Sequence, residues 1–103
     1  MPIVEKIKQQ IAANTIILYM KGNAQFPQCG FSAQAVRLLN ACGIEDFATV
    51  NVLEEADIRQ GIKDFSHWPT IPQLYVKGEF IGGCDIMTEM YESGELQALL
   101  RDL

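Results

Sequence analysis

Thr15-Ile16-Ile17-Leu18-Tyr19-Met20-Lys21-Gly22-Asn23-Ala24-Gln25-Phe26-Pro27-Gln28-Cys29-Gly30-Phe31-Ser32 is the stretch on which the reading of this chain turns. Residues 15–20 are aliphatic and aromatic with no polar alternation, which predicts a strand buried on both faces. Residues 21–28, with Gly22, Asn23 and Pro27, have the composition of a loop. From Cys29 onward Phe31, Ala35, Leu38, Leu39 and Cys42 return at helical spacing until Gly43, a residue suited to ending a helix. Cys29 therefore falls at or just before a helix N-terminus. There the unpaired backbone N–H groups and the helix dipole favour the thiolate over the thiol. This position outweighs the ordinary reading of a lone cysteine as a small buried hydrophobe. Cys42, on the apolar face at the far end of the same helix, takes that ordinary reading.

Working outward, Val4, Ile7 and Ile11 mark an amphipathic first helix ending around Asn14. Phe47 to Val52 reads as a second strand, and Glu54, Glu55 and Asp57 open a helix running to about Ser66, with acids where the helix dipole favours them. Gln73–Val76 and Glu79–Ile81 form a hairpin through Lys77-Gly78. Gly82-Gly83 breaks the second of these strands, and Asp85 can cap a helix through about Tyr91. Ser93-Gly94 separates that helix from a terminal one ending near Leu103. The order is α-β-α-β-α-β-β-α-α. The first two strands, joined through a helix, are expected to be parallel and the hairpin antiparallel. The expectation is an α/β fold with a mixed four-stranded sheet and helices on both faces.

The chain has 103 residues, 49% of them hydrophobic, which fits one domain over residues 1–103. A core can form at this length without disulfides or a structural metal. Thirteen acidic residues against eight scattered basic ones give a net charge of −5, which disfavours a nucleic-acid surface. The longest aliphatic run, Ile16-Ile17-Leu18, is far short of the ~20 residues of a membrane span. Met1 to Gln10 lacks the unbroken apolar stretch and cleavage site of a secretory signal. The expected place is the cytoplasm. Three cysteines, Cys29, Cys42 and Cys84, cannot all pair internally, so at least one thiol is free for chemistry.

A strand, a cysteine opening a helix and a later proline entering an antiparallel hairpin make the thioredoxin arrangement. Within it, Cys29-Gly30-Phe31-Ser32 resembles the signature of the monothiol glutaredoxins. The resemblance extends through Lys21, Trp68-Pro69-Thr70-Ile71-Pro72-Gln73 and Gly82-Gly83-Cys84-Asp85, and so covers essentially the whole chain in the family's order. It implies a thioredoxin-like fold, a single glutaredoxin domain and glutathione as ligand. Glutathione presents two carboxylates, one ammonium and one thiol. Lys21, Arg59 and Lys63 are the candidates for its glycine carboxylate. Arg59 and Lys63, four residues apart on one helix, share a face, although plain surface charge is the favoured reading of Lys63 and Lys21 is the stronger candidate. The resemblance implies a cis Ile71-Pro72 bond, with the Ile71 N–H and C=O pairing to the cysteine unit of the tripeptide as one strand pairs with another. Gly83, Cys84 and Asp85 start a helix whose N–H groups suit the γ-glutamyl carboxylate, while the Asp85 side chain suits the ammonium.

Ser32 stands where a dithiol glutaredoxin has a second, resolving cysteine. The resemblance then implies two protomers and two glutathiones around one [2Fe-2S] cluster, with Cys29 as the protein ligand. Counting sulfurs agrees once glutathione is accepted, because one thiolate from each protein and each glutathione makes four. Gly30 leaves space beside the metal. Two functions of different class follow. One is a carrier in iron-sulfur cluster transfer, with acceptor proteins and, as the resemblance suggests, BolA-type proteins as partners. The other is a glutathione-dependent thiol-disulfide oxidoreductase with Cys29 as nucleophile and a second glutathione resolving the mixed disulfide. Cys84 can instead pair with Cys29, as the resemblance allows, or remain a half-buried thiol, which is the reading preferred. His67, the only histidine, reads as a solvated loop residue and Trp68 as a packing anchor for that loop. Phe31 reads as half exposed beside the site, and Met20, Met87 and Met90 as core filler.

Overall fold

The computed structural model describes residues 2–101 and 103. Met1 and residue 102 lie outside the described residues. The elements are α1 (Ile3–Ala13), β1 (Ile16–Met20), α2 (Gly30–Ala41), β2 (Ala48–Asn51) and α3 (Ala56–Ser66). They continue as β3 (Gln73–Val76), β4 (Glu79–Gly82), α4 (Cys84–Ser93) and α5 (Glu95–Arg101). The sheet runs β2-β1-β3-β4. β1 pairs parallel with β2 and antiparallel with β3, and β3 pairs antiparallel with β4. This is a thioredoxin-like fold.

β1 is buried throughout, as a run without alternation requires. Its period of two still sorts side chains by face. Ile16, Leu18 and Met20 join a core with residues of α2, α4 and α5, among them Leu38, Leu39, Met87 and Leu96. Ile17 and Tyr19 point the other way, into a second core with Ile7 and Ile11 of α1 and Ile58 and Ile62 of α3. β3 divides likewise, Leu74 and Val76 to the first core and Tyr75 to the second. The amphipathic spacing of α1 is matched by Ile7 and Ile11 as its buried residues. Lys77 and Gly78 turn the hairpin with φ of 52° and 81°.

Three expected boundaries shift. β2 is shorter than Phe47–Val52, because its pairing with β1 runs only from Ala48 to Asn51. α3 begins after Glu55, whose carboxylate is held by Lys6 at 3.0 Å across the α1–α3 contact. α4 begins at Cys84 with Gly83 as its N-cap. Among the described residues no helix is long and apolar enough to cross a membrane.

Candidate functional site

The parallel strands β1 and β2 end side by side, and the chain beyond each is pinned by one side chain. Asn51 Oδ1 accepts the N–H of Gly22 and that of Leu53, both at 3.0 Å. Residues 21–28 then fold back as a small hairpin. Gly22 bridges Pro27, Asn23 and Phe26 exchange backbone bonds at 3.3 and 3.2 Å, and Gln28 N–H donates to Lys21 O at 2.8 Å. Gly22 has φ of +87°, and a Cβ there would overlap the Phe26 carbonyl oxygen and stand 2.7 Å from Gln28 N. This return delivers Cys29 beside Lys21.

Cys29 is the N-cap of α2, in extended conformation at φ −156° and ψ 152°. Its carbonyl accepts from Ala33 N–H at 3.0 Å, and its Sγ accepts from Ser32 N–H at 3.4 Å. Sulfur thus takes the place that an oxygen of Ser or Asp usually fills at a helix start. Ser32 is fully buried beneath it, with Oγ 3.6 Å from Sγ and accepting the Lys21 N–H at 3.1 Å. Partial burial pushes the Cys29 thiol up, but hydrogen bonds from the Ser32 N–H, the Ser32 hydroxyl and the Phe31 N–H, together with the Lys21 charge, outweigh it. The net effect places Cys29 below the ordinary thiol value of 9.0. Burial pushes Cys42 above that value. Cys84 is also raised, first by burial and then by the charges of Asp85 and Cys29, against a hydrogen bond from Thr88 and the charge of Arg37. All three cysteines are free thiols in this structure. Only Cys29 has surroundings that favour the anion.

A cavity of about 350 Å³ opens beside Cys29's neighbours Lys21 and Phe31. Arg59 and Lys63 of α3 line it, as do residues 68–72 of the loop before β3 and residues 83–86 at the start of α4. Every residue expected to meet glutathione, namely Lys21, Arg59, Lys63, Ile71, Pro72, Gly83, Cys84 and Asp85, lies on its wall. Lys63, whose favoured reading is plain surface charge, is half-buried there. No carboxylate of the described residues pairs with Lys21, Arg59 or Lys63. The Ile71-Pro72 bond is cis. Gln73, fully buried, fixes the loop before β3 by donating from Nε2 to Trp68 O at 3.1 Å and Thr70 O at 3.2 Å. Gly83 closes against this loop, since a Cβ on it would stand 3.1 Å from Pro72 O and 3.3 Å from Trp68 Nε1.

Two expectations are corrected. Asp85 is not the cap of α4; Gly83 is, without a side-chain bond, and Asp85 sits exposed in the first helical turn. The close approach of the Pro72 carbonyl selects a glycine as the cap, and the helix starts earlier than Asp85 predicts. Phe31 is 65% exposed, more than half, because the first turn of α2 turns it away from both cores. His67, exposed, is the left-handed C-cap of α3, at φ 56°. Trp68 does pack, its ring 5.9 Å from that of Phe80, and it also lines the cavity with Nε1 buried and unpartnered.

Asn51, Ser32 and Gln73 hold the site together by hydrogen bonds that the sequence does not announce. Ser32 and Gln73 stand in the matching motifs without showing these bonds, and the signal of Asn51 is only a polar residue at a strand end. Among the described residues no group of three or more His, Cys, Asp or Glu side chains gathers as a metal site.

A family model described as Glutaredoxin matches residues 16–81. Glutaredoxin 4 of Escherichia coli strain K12 is 57% identical over 99 residues, 96% of this chain and 85% of that protein. A Synechocystis protein named uncharacterized monothiol glutaredoxin ycf64-like is 56% identical over 95 residues, 92% of this chain and 88% of its own length. The solution structure of reduced poplar apo GrxS14 superposes with a TM-score of 0.82 at 46% identity, over 95% of this chain and 89% of that one. The chain belongs to the glutaredoxin family, in its monothiol branch.

Proposed function

We propose that this protein binds glutathione in the cavity beside Cys29, that two such units hold one [2Fe-2S] cluster, and that it carries the cluster to acceptor proteins. The observation that carries the reading is the joining of two features. A cysteine favoured as thiolate caps a helix, and its neighbours Lys21 and Phe31 line a cavity that also holds the cations Arg59 and Lys63 and the start of α4. Glutathione has a group for each part. Lys21, Arg59 and Lys63 would meet its glycine carboxylate and the backbone of Ile71, shaped by Pro72, its cysteine unit. The first N–H groups of α4 at Gly83, Cys84 and Asp85 would meet its γ-glutamyl carboxylate, and the Asp85 side chain its ammonium.

The residues present suit the cluster in the same way. One thiolate per chain is available, and a Cβ on Gly30 would meet nothing within 4 Å, so space lies open beside the sulfur. Iron-sulfur ligation of this kind takes four sulfurs, and glutathione is the source of the two that the chains lack. The cluster is cargo to be passed on. Cys29 holds it, and the cavity holds the glutathione that completes its ligands. The same reading makes residues 1–103 one glutaredoxin domain acting in the cytoplasm, with BolA-type proteins among its partners.

Anaerobic reconstitution with iron, sulfide and glutathione tests this. Monomer is expected to become a coloured dimer, Cys29→Ser to abolish the colour and Cys42→Ser to keep it. Colour retained by Cys29→Ser overturns the ligand assignment. The lowered Cys29 favours a second reading, a thiol-disulfide oxidoreductase that resolves mixed disulfides with a second glutathione. Turnover of a glutathionylated peptide by a protein that takes up no cluster selects it.

A further inference from the structure

A hydroxyl carries one proton and two lone pairs. That of Ser32 is fully buried, its oxygen accepts the Lys21 N–H at 3.1 Å, and it lies 3.6 Å from Cys29 Sγ. When Cys29 is a thiol, its S–H donates to that oxygen. When the sulfur is anionic the bond must reverse, because a thiolate only accepts. The Lys21 amide occupies one lone pair and so orients the hydroxyl, while the Ser32 N–H already donates to the same sulfur at 3.4 Å. One residue therefore aims two donors at one atom from a site closed to water.

We infer that Ser32 is a working hydrogen-bond donor to the reacting sulfur, aligned by the Lys21 amide, and not simply the place of a missing second thiol. The inference rests on Cys29 as the reacting sulfur and goes further by giving Ser32 a bond to it. In disulfide exchange the Cys29 thiolate attacks one sulfur of R–S–S–R. A Cys29–S–R bond forms, the S–S bond breaks, and the electron pair departs with RS⁻. In the reverse step RS⁻ attacks the R-bearing sulfur and Cys29 departs as thiolate, which is the species Ser32 stabilises. A cysteine at position 32 offers a weaker donor and alanine none. Lys21 then serves the site twice, through its amide at the Ser32 hydroxyl and its side chain at the cavity wall.

The test uses hydroxyethyl disulfide, which has neither carboxylate nor ammonium, so its readout does not depend on glutathione binding. Parent, Ser32→Ala and Ser32→Thr proteins are equilibrated at pH 9 with fixed ratios of hydroxyethyl disulfide to mercaptoethanol. The Cys29 mixed disulfide is then counted by peptide mass spectrometry after an acid quench. Ser32→Ala is expected to shift the equilibrium toward the mixed disulfide by about tenfold, the scale of one hydrogen bond to an ionised acceptor. Ser32→Thr keeps the hydroxyl and is expected to restore the parental equilibrium. A Ser32→Ala protein that unfolds cooperatively on heating yet shows the parental equilibrium overturns the inference, as does a folded Ser32→Thr that behaves like Ser32→Ala. Should Ser32→Ala not fold, the parent carries the test. Capping Cys29 with methyl methanethiosulfonate removes the anionic acceptor, and the amide resonances of Ser32 and Lys21 are both expected to move; a shift of Ser32 alone overturns the relay. A tenfold shift in a protein that binds no glutathione by calorimetry supports this inference and removes the cavity reading.

Discussion

Three cysteines in one chain are driven in different directions by what surrounds them. Thiolate is the nucleophile, so each alkylation rate rises with pH and levels off once its own thiol has ionised. Cys29 lies below the ordinary thiol value of 9.0, and Cys42 and Cys84 lie above it. Iodoacetamide at pH 8 is therefore expected to label Cys29 first, on a profile whose midpoint lies below pH 9, while the midpoints of the other two lie above it. The linked stability has the sign of a depressed acid. It is present in full above 9.0 and is lost as pH falls through the folded-state value. Peptide-resolved mass spectrometry checks the order, and simultaneous labelling of all three would refute it. Lys21 offers a second test at this scale. Lys21→Ala removes a charge-assisted bond to the proposed carboxylate, expected to cost about 1.5 to 3 kcal/mol, a roughly ten- to hundredfold loss of glutathione affinity by calorimetry. Unchanged binding in both Lys21→Ala and Arg59→Ala would place the carboxylate elsewhere. Cys29 was legible because a Gly/Pro loop and then helical spacing locate a helix start. Lys63 was not, because a surface helix shows which residues share a face and not what that face meets.

At the scale of elements, strand pairing and helix order could be read because hydrophobic period and connection length constrain them strongly. Cap positions were less legible, since they depend on tertiary approach. Gly83, not Asp85, is the cap of α4, at a place where the Pro72 carbonyl leaves little room for a side chain. The loop 21–28 belongs to this scale. Its composition announced a turn, but nothing in the sequence showed that Asn51, on another strand, would bind Gly22 and Leu53 together. Gly22→Ala combines a left-handed backbone with overlap on the Phe26 carbonyl, which a side-chain rotation cannot relieve. The expected loss is about 2 to 4 kcal/mol in urea unfolding. Since that loop delivers Cys29 to Lys21, the Cys29 alkylation profile is also expected to move toward the ordinary thiol value. A parental unfolding midpoint would mean that the loop adopts some other turn.

For the whole molecule, charge decides how the proposed dimer answers to salt. Each chain carries −5, and centres about 25 Å apart, twice the radius of gyration of 12.6 Å, put five charges against five. In water without screening that repulsion is about 4 kcal/mol. The cations Lys21, Arg59 and Lys63 cannot offset it, since in the proposed complex they face glutathione, an anion they share a cavity with. Between 0.01 and 0.15 M salt the Debye length falls from about 30 to about 8 Å, which removes most of an interaction at this distance while sparing contacts of a few ångströms. The cluster-loaded dimer is therefore expected to tighten on adding salt, by about tenfold over that range, an amount close to 1.4 kcal/mol. Sedimentation of the reconstituted protein under nitrogen at the two ionic strengths measures it. A dimer that loosens instead would mean that acidic residues of one protomer pair with the cavity cations of the other, and the glycine carboxylate would then need a different partner.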